Sequence, residues 1–145
     1  MRNTLLSFLL FIIISVGFVS PASAGVDTHT HRKYHGVMSD YYYDQLAKCE
    51  TGGNWNHSTK SYTGGLGIAR GTWIAFSNSS SAKDKPPEYQ VAIADNIAFR
   101  GHWKDGVFKP SVGPWGWGCV RHSKLLSSLI CKSRNPLVKH YRRRC

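Results

Sequence analysis

The sequence predicts a small α+β domain, predominantly α-helical and stapled by disulfides. Three observations predict it. Apolar residues recur at helical spacing in segments bounded by capping residues, prolines and glycines, whereas no stretch alternates strongly and no internal repeat is present. The chain left after its apolar N-terminus is too short to bury a large core, so covalent staples are expected. All four cysteines, Cys49, Cys119, Cys131 and Cys145, lie in that remaining part.

The N-terminus reads as an export signal. Arg2 supplies a positive start, Leu5 to Phe18 is an apolar run broken mainly by Ser7, Ser15 and Gly17, and Ala22-Ser23-Ala24 has the small-residue pattern of a cleavage site. The run is short for a membrane span, so residues 1–24 are expected to be a signal peptide and the protein to be secreted, extracellular or cell-wall associated. In that oxidising compartment two disulfides are expected rather than a metal site, and no C-x-x-C pair is present. Four cysteines allow three connectivities, and spacing does not choose among them. Residues 25–38 are polar and read as a flexible leader. Its His29, His31 and His35 lack a carboxylate or cysteine at a ligating spacing, and neither metal nor cofactor is expected.

The elements follow in order. Ser39 or Asp40 caps a helix through Tyr41 to Glu50, with Tyr42, Leu46 and Cys49 on one face, and Gly52-Gly53 stops it. The Gly-, Ser-, Thr- and Asn-rich stretch from Asn54 to Gly67 is expected to be irregular or a small hairpin. Gly71 to Phe76 starts a short helix that the Ser/Asn run after it breaks. Pro86-Pro87 opens the clearest helix, with Val91, Ile93, Ala94, Ile97 and Ala98 as its apolar stripe and Gly101 as its stop. His102 to Gly118 reads as a long Gly/Pro/Trp loop. Ser123 to Lys132, with Leu125, Leu126, Leu129 and Ile130, is a last amphipathic helix before Asn135-Pro136 and a basic tail.

The formal net charge is +11. Such a balance first points to nucleic acid, but export sets nucleic acid aside in favour of anionic cell-wall polymers, contacted by the tail. An anionic membrane surface is the less favoured alternative. From Arg121 onward the chain carries Lys and Arg residues and no acid at all.

Eight acidic residues are present, and only two are glutamates. Glu88 sits in the first turn of the Pro-opened helix, where a carboxylate is ordinary stabilisation. Glu50 has no such role. It ends a helix, beside a cysteine and before a glycine pair, a place where burial and the helix C-terminus favour the protonated form a general acid needs.

Cys49-Glu50-Thr51-Gly52-Gly53-Asn54-Trp55, then Tyr62-Thr63-Gly64-Gly65-Leu66, Thr72-Trp73, Gln90-Val91-Ala92-Ile93-Ala94 and Trp115 to Cys119 together resemble the catalytic domain of the resuscitation-promoting factors. These are actinobacterial peptidoglycan-cleaving enzymes with a lysozyme-like fold, and the resemblance covers Tyr41 to Cys119. It implies a lysozyme-like catalytic domain over residues 39–120, with residues 121–145 as a basic C-terminal extension. It further implies that Glu50 is the catalytic acid and that Thr72 lines the cleft. Asn54, Trp73, Trp115 and Trp117 are the other substrate-binding candidates, and for the loop tryptophans Trp115 and Trp117 covering the core is the alternative reading. Cys49 matches a family cysteine whose partner would be Cys119, which leaves Cys131 for Cys145. Two departures stand out: Gly67 and Arg100 replace family glutamines near the sugar. The loop from His102 to Gly118 is also longer than the family's.

Retaining and inverting glycosidases need a second carboxylate within about 5 to 10 Å. None follows Glu50 until Asp84, and Asp40 and Asp44 lie earlier on the same helix. The expected function is therefore that of a lytic transglycosylase or muramidase, cleaving glycan strands of peptidoglycan at the MurNAc-GlcNAc bond with one glutamate. The alternatives are a weak or inactive wall-binding protein of the same fold, and a cationic membrane-active protein.

Overall fold

The computed structural model describes residues 32–145, so the expected signal peptide, His29 and His31 lie outside the described residues. The first helix, α1 (Asp40–Thr51), starts where Ser39 Oγ accepts the Tyr42 N–H and ends where Gly52 takes the left-handed conformation at φ 67°. It buries Tyr42, Tyr43, Leu46 and Ala47. Cys49, expected on that face, is exposed at the helix end. A small hairpin follows, β1 (Tyr62–Thr63) with β2 (Ile68–Ala69), and leads directly into α2 (Arg70–Phe76). There Trp73 is fully buried and Phe76 nearly so.

Helix α3 (Pro87–Asp95) begins at the proline pair, as expected, and buries the predicted stripe. Its last part is not α-helical. Residues Asn96–Arg100 widen into a π-helical turn closed by the Gly101 N–H on the Asn96 carbonyl at 2.8 Å. Gly101, at φ 73°, both ends the helix and admits its neighbour: a Cβ there would lie 2.7 Å from the Lys109 carbonyl oxygen.

That neighbour corrects the expected long loop. Residues 102–109 form a second antiparallel hairpin, β3 (His102–Lys104) with β4 (Val107–Lys109), pairing Trp103 with Phe108. Asp105 at φ 50° and Gly106 at φ 76° make its two-residue turn. Asp-Gly between aromatic and β-branched residues is a hairpin signal, overridden in the sequence reading by the glycines and prolines after it. Lys104 anchors the hairpin by donating from Nζ to the Ser77 carbonyl at 2.9 Å and to that of Ile74. A short 3-10 turn, Pro114–Gly116, precedes α4 (Gly118–His122) and α5 (Lys124–Lys132), the latter capped by Ser123 Oγ.

Both ends of the described chain are packed more firmly than composition implies. Tyr34, Val37 and Met38, expected in a flexible leader, are buried, and so are Leu126, Ile130 and Val138, expected in an extension. The described residues form one compact unit. Disulfides join Cys49 to Cys119 and Cys131 to Cys145, as the family resemblance implies. Asn135 Nδ2 donates to the Val37 carbonyl at 2.9 Å, joining the two ends directly.

Asp95 holds the leader from inside. It is buried, its Oδ2 accepts the Val37 N–H at 2.7 Å, and its Oδ1 accepts the Tyr43 hydroxyl, which in turn accepts the Met38 N–H at 3.1 Å. Burial and the Asp95 charge push the Tyr43 hydroxyl far above its ordinary range, so it stays a donor. Burial also raises the Asp95 carboxyl above its ordinary 3.8, although the bonds from Tyr43 and Val37 oppose the shift. A raised folded-state value means that the stability linked to Asp95 protonation is full below 3.8 and is lost as pH rises through the folded value. The stability advantage of the wild type over Asp95→Asn should therefore shrink as the pH rises above about 4. Urea titrations of both proteins at several pH values measure it, and an advantage that grows with pH would contradict the assignment.

Candidate active site

Glu50 occupies the last turn of α1, half-buried, at the wall of a cleft of about 400 Å³. Two walls meet there. The β1–β2 hairpin and the start of α2 contribute Tyr62, Gly67 and Thr72, and the chain entering α4 contributes Trp117, Gly118 and Arg121. Glu50 Oε1 accepts the Cys119 N–H at 2.9 Å. Its Oε2 accepts no hydrogen bond among the described residues, leaving that oxygen available for proton transfer. Among the described residues no other acidic side chain lines the cleft.

The remaining nearby carboxylates are engaged elsewhere. Asp40 accepts the N–H groups of Lys33 and Tyr34, and Asp44 accepts the Tyr34 hydroxyl at 2.6 Å. Asp84 is exposed and away from the cleft lining. A scheme with one carboxylate therefore suits the geometry.

The glycine loop beside Glu50 is braced through Gln90. This fully buried side chain accepts the Gly65 N–H at 2.8 Å and donates to the carbonyls of Trp55, Ala82 and Lys85. Thr51 Oγ1 donates to the Gly65 carbonyl at 2.6 Å, and Trp117 Nε1 to that of Leu66 at 2.7 Å. The end of α1, the glycine loop and the chain before α4 are thus tied to one another around the acid.

Three of the sequence-predicted residues, Glu50, Thr72 and Trp117, meet at the cleft. The others do not. Trp73 is fully buried with Nε1 donating to Ser79 Oγ at 3.0 Å, so it belongs to the core and not to the cleft. Asn54 is exposed and its Oδ1 accepts the Asn56 N–H, closing a local turn. Trp115 packs against the core beside the cleft. Arg100, expected near the sugar, is exposed outside the lining. Tyr62, Val112 and Arg121 line the cleft without having been singled out. No local pattern marks Val112 or Arg121, and Tyr62 appears only as the first residue of the glycine motif; each enters the cleft through the packing of separate elements.

Residues 37–105 match the family model of the transglycosylase-like domain. The chain carries a transglycosylase-like domain. It is 43% identical over 56 residues to the resuscitation-promoting factor RpfE of Mycobacterium tuberculosis, covering 38% of this chain and 33% of that protein. Over 94 residues it is 31% identical to resuscitation-promoting factor Rpf2 of Corynebacterium glutamicum, covering 62% of this chain and 24% of the relative. With RpfD of Mycobacterium tuberculosis the identity is 39% over 59 residues, 40% of this chain and 38% of the relative. The chain thus spans well under half the length of these relatives. The matched domain includes Glu50, the glycine loop and Thr72, and it ends before Trp117 and Arg121.

Gly67, where the family pattern has glutamine, has a local reason. Its φ is 59°, and a Cβ there would lie 3.2 Å from Glu50 Cβ and 3.4 Å from Oε2. Gly67→Gln should cost about 1–2 kcal/mol from the left-handed backbone alone and crowd the carboxylate besides. Urea denaturation checks this, and an unchanged midpoint would show that the loop re-forms without strain.

Proposed function

We propose that the protein is a secreted peptidoglycan-cleaving enzyme, a lytic transglycosylase or muramidase acting on the MurNAc-GlcNAc bond with Glu50 as its single catalytic carboxylate. The observation that carries this reading is that, among the described residues, Glu50 is the only acid lining the cleft of a transglycosylase-like domain, with one oxygen held and the other unpartnered. Glu50 in its acid form would donate its proton to the glycosidic oxygen as the C1–O bond breaks. The resulting carboxylate would then take a proton from the C6 hydroxyl of the muramoyl sugar, giving a 1,6-anhydro product, or from water, giving hydrolysis. The N-acetyl carbonyl of the substrate would stabilise the electron-poor C1 in place of a second carboxylate.

Glu50→Gln keeps the shape and the acceptor for Cys119 but has no proton to give. Release of soluble fragments from purified peptidoglycan should fall by about 10²-fold or more, with the thermal melt and wall binding retained. Near-normal release by a folded variant would remove Glu50 from its role.

The tail is proposed to hold anionic wall polymers. Arg142 is excluded from that surface, because it is partly buried and donates to the Ser133 carbonyl. Arg143 and Arg144 are exposed. Exposed charges act through a field screened over about 8 Å at physiological salt. Binding to isolated walls should weaken steeply with salt, and replacing Arg143 and Arg144 with Ser should lower it at low salt. A pull-down across a salt series measures this, and binding indifferent to both changes would leave the tail as packing.

A further inference from the structure

We propose that Arg121 is the carboxylate-recognising residue of the Glu50 cleft, selecting glycan strands that carry an acidic group over neutral ones. This rests on the cleft being a glycan site, as proposed above. Among the described residues that line the cleft, Glu50 and Arg121 are the only charged side chains. A cleft whose sole charge was a carboxylate would repel an anionic strand, and Arg121 offsets that repulsion.

Arg121 is also unengaged, unlike the cations that the fold uses structurally. Arg70 spends its guanidinium on Ser80, Ser58 and Thr59 at 2.7 to 3.1 Å, and Lys104 and Arg142 bind backbone carbonyls. The exposed Arg121 side chain makes no hydrogen bond or ion pair among the described residues, with Glu50 or any other group. Its planar fork matches a carboxylate in a bidentate pair, a geometry that neutral hydroxyls do not reproduce.

The backbone under Arg121 is fixed. The Arg121 N–H donates to the Trp117 carbonyl at 3.3 Å, and Trp117 is itself pinned to Leu66. Two residues before Arg121, Cys119 is bridged to Cys49 and holds Glu50 through its N–H. One short segment therefore positions both the acid and the cation, so a carboxylate seated on Arg121 sets where the scissile bond lies relative to Glu50.

Two carboxylate sources share this chemistry, the lactyl group of the acidic sugar and the peptide attached to it. The test uses the mature chain carrying Glu50→Gln, which binds without cutting. It is titrated with peptide-bearing strands, with peptide-stripped strands whose lactyl carboxylates are free, and with stripped strands whose carboxyls are reduced to alcohols. Carboxylate-bearing strands should bind roughly fivefold tighter than reduced ones. Adding Arg121→Gln should erase that preference, and Arg121→Lys should keep part of it, with circular dichroism melts confirming that each variant is folded. A preference for stripped strands assigns the carboxylate to the sugar, and one confined to peptide-bearing strands assigns it to the peptide. Equal affinity for all strands, no binding at all, or a preference that survives Arg121→Gln overturns the proposal. Wild-type cleavage of the same strands is assayed in parallel. Failure to cleave with the carboxylate preference intact would overturn the enzymatic reading and leave this one standing.

Discussion

A covalent bond joins the residue before Glu50 to the residue whose N–H holds the Glu50 carboxylate. The Cys49–Cys119 bridge spans 70 residues of sequence, and it brings the end of α1 against the start of α4 with the acid between them. A closure of that length removes unfolded-chain entropy equivalent to about 4 kcal/mol in the loop model. Its local consequence matters as much. The hydrogen bond to Oε1 can form only if α4 begins at that place, and every cleft residue after Cys119 depends on the same register.

The opposite wall is held by polar groups in the interior. Gln90 is fully buried with both ends of its amide used, and its partners are backbone groups of the segments flanking the glycine loop. Leaving such groups unpaired costs about 1–3 kcal/mol each, so the loop is locked more by the penalty for moving than by any one bond. Gly64 and Gly65 belong to this lock. A Cβ on Gly64 would lie 2.7 Å from Ala82 Cβ, and one on Gly65 would lie 2.7 Å from the Trp55 ring. Glycine lets the backbone pack against Gln90 of α3, Ala82 and Trp55 at distances that a side chain would not allow.

The lower half of the molecule stabilises this arrangement without reaching the cleft. The pair Cys131–Cys145 closes the tail, Val138 enters the core, and Tyr141 packs edge-on to Phe99 while its hydroxyl shares a 3.0 Å hydrogen bond with Ser111. Ser111 precedes Val112 in the cleft lining, and Val112 is fixed by its N–H on the Ile97 carbonyl at 2.7 Å. Tail, π-helical turn and cleft edge are therefore mechanically continuous.

The sequence by itself determined four of the helices, α4 excepted, and marked Glu50 as the candidate acid. Ser39, Gly52, Pro86-Pro87 and Ser123 are capping signals that act within one turn, and the stripe Val91, Ile93, Ala94, Ile97 and Ala98 is periodic over a single helix, so all are legible locally. Glu50 stood out for the same reason, framed by Cys49 and Gly52-Gly53. The second hairpin was also written locally in Asp105-Gly106 and was masked by the loop-forming residues after it. Tertiary structure alone decided the burial of Tyr34, the hold of Asp95 on Val37 and the turn of Trp73 into the core. It also decided the meeting of Arg121, Tyr62 and Val112 at one cleft. These outcomes depend on contacts between residues far apart in the chain, where burial and unpaired polar groups choose the partner, and neither propensity nor spacing encodes that choice.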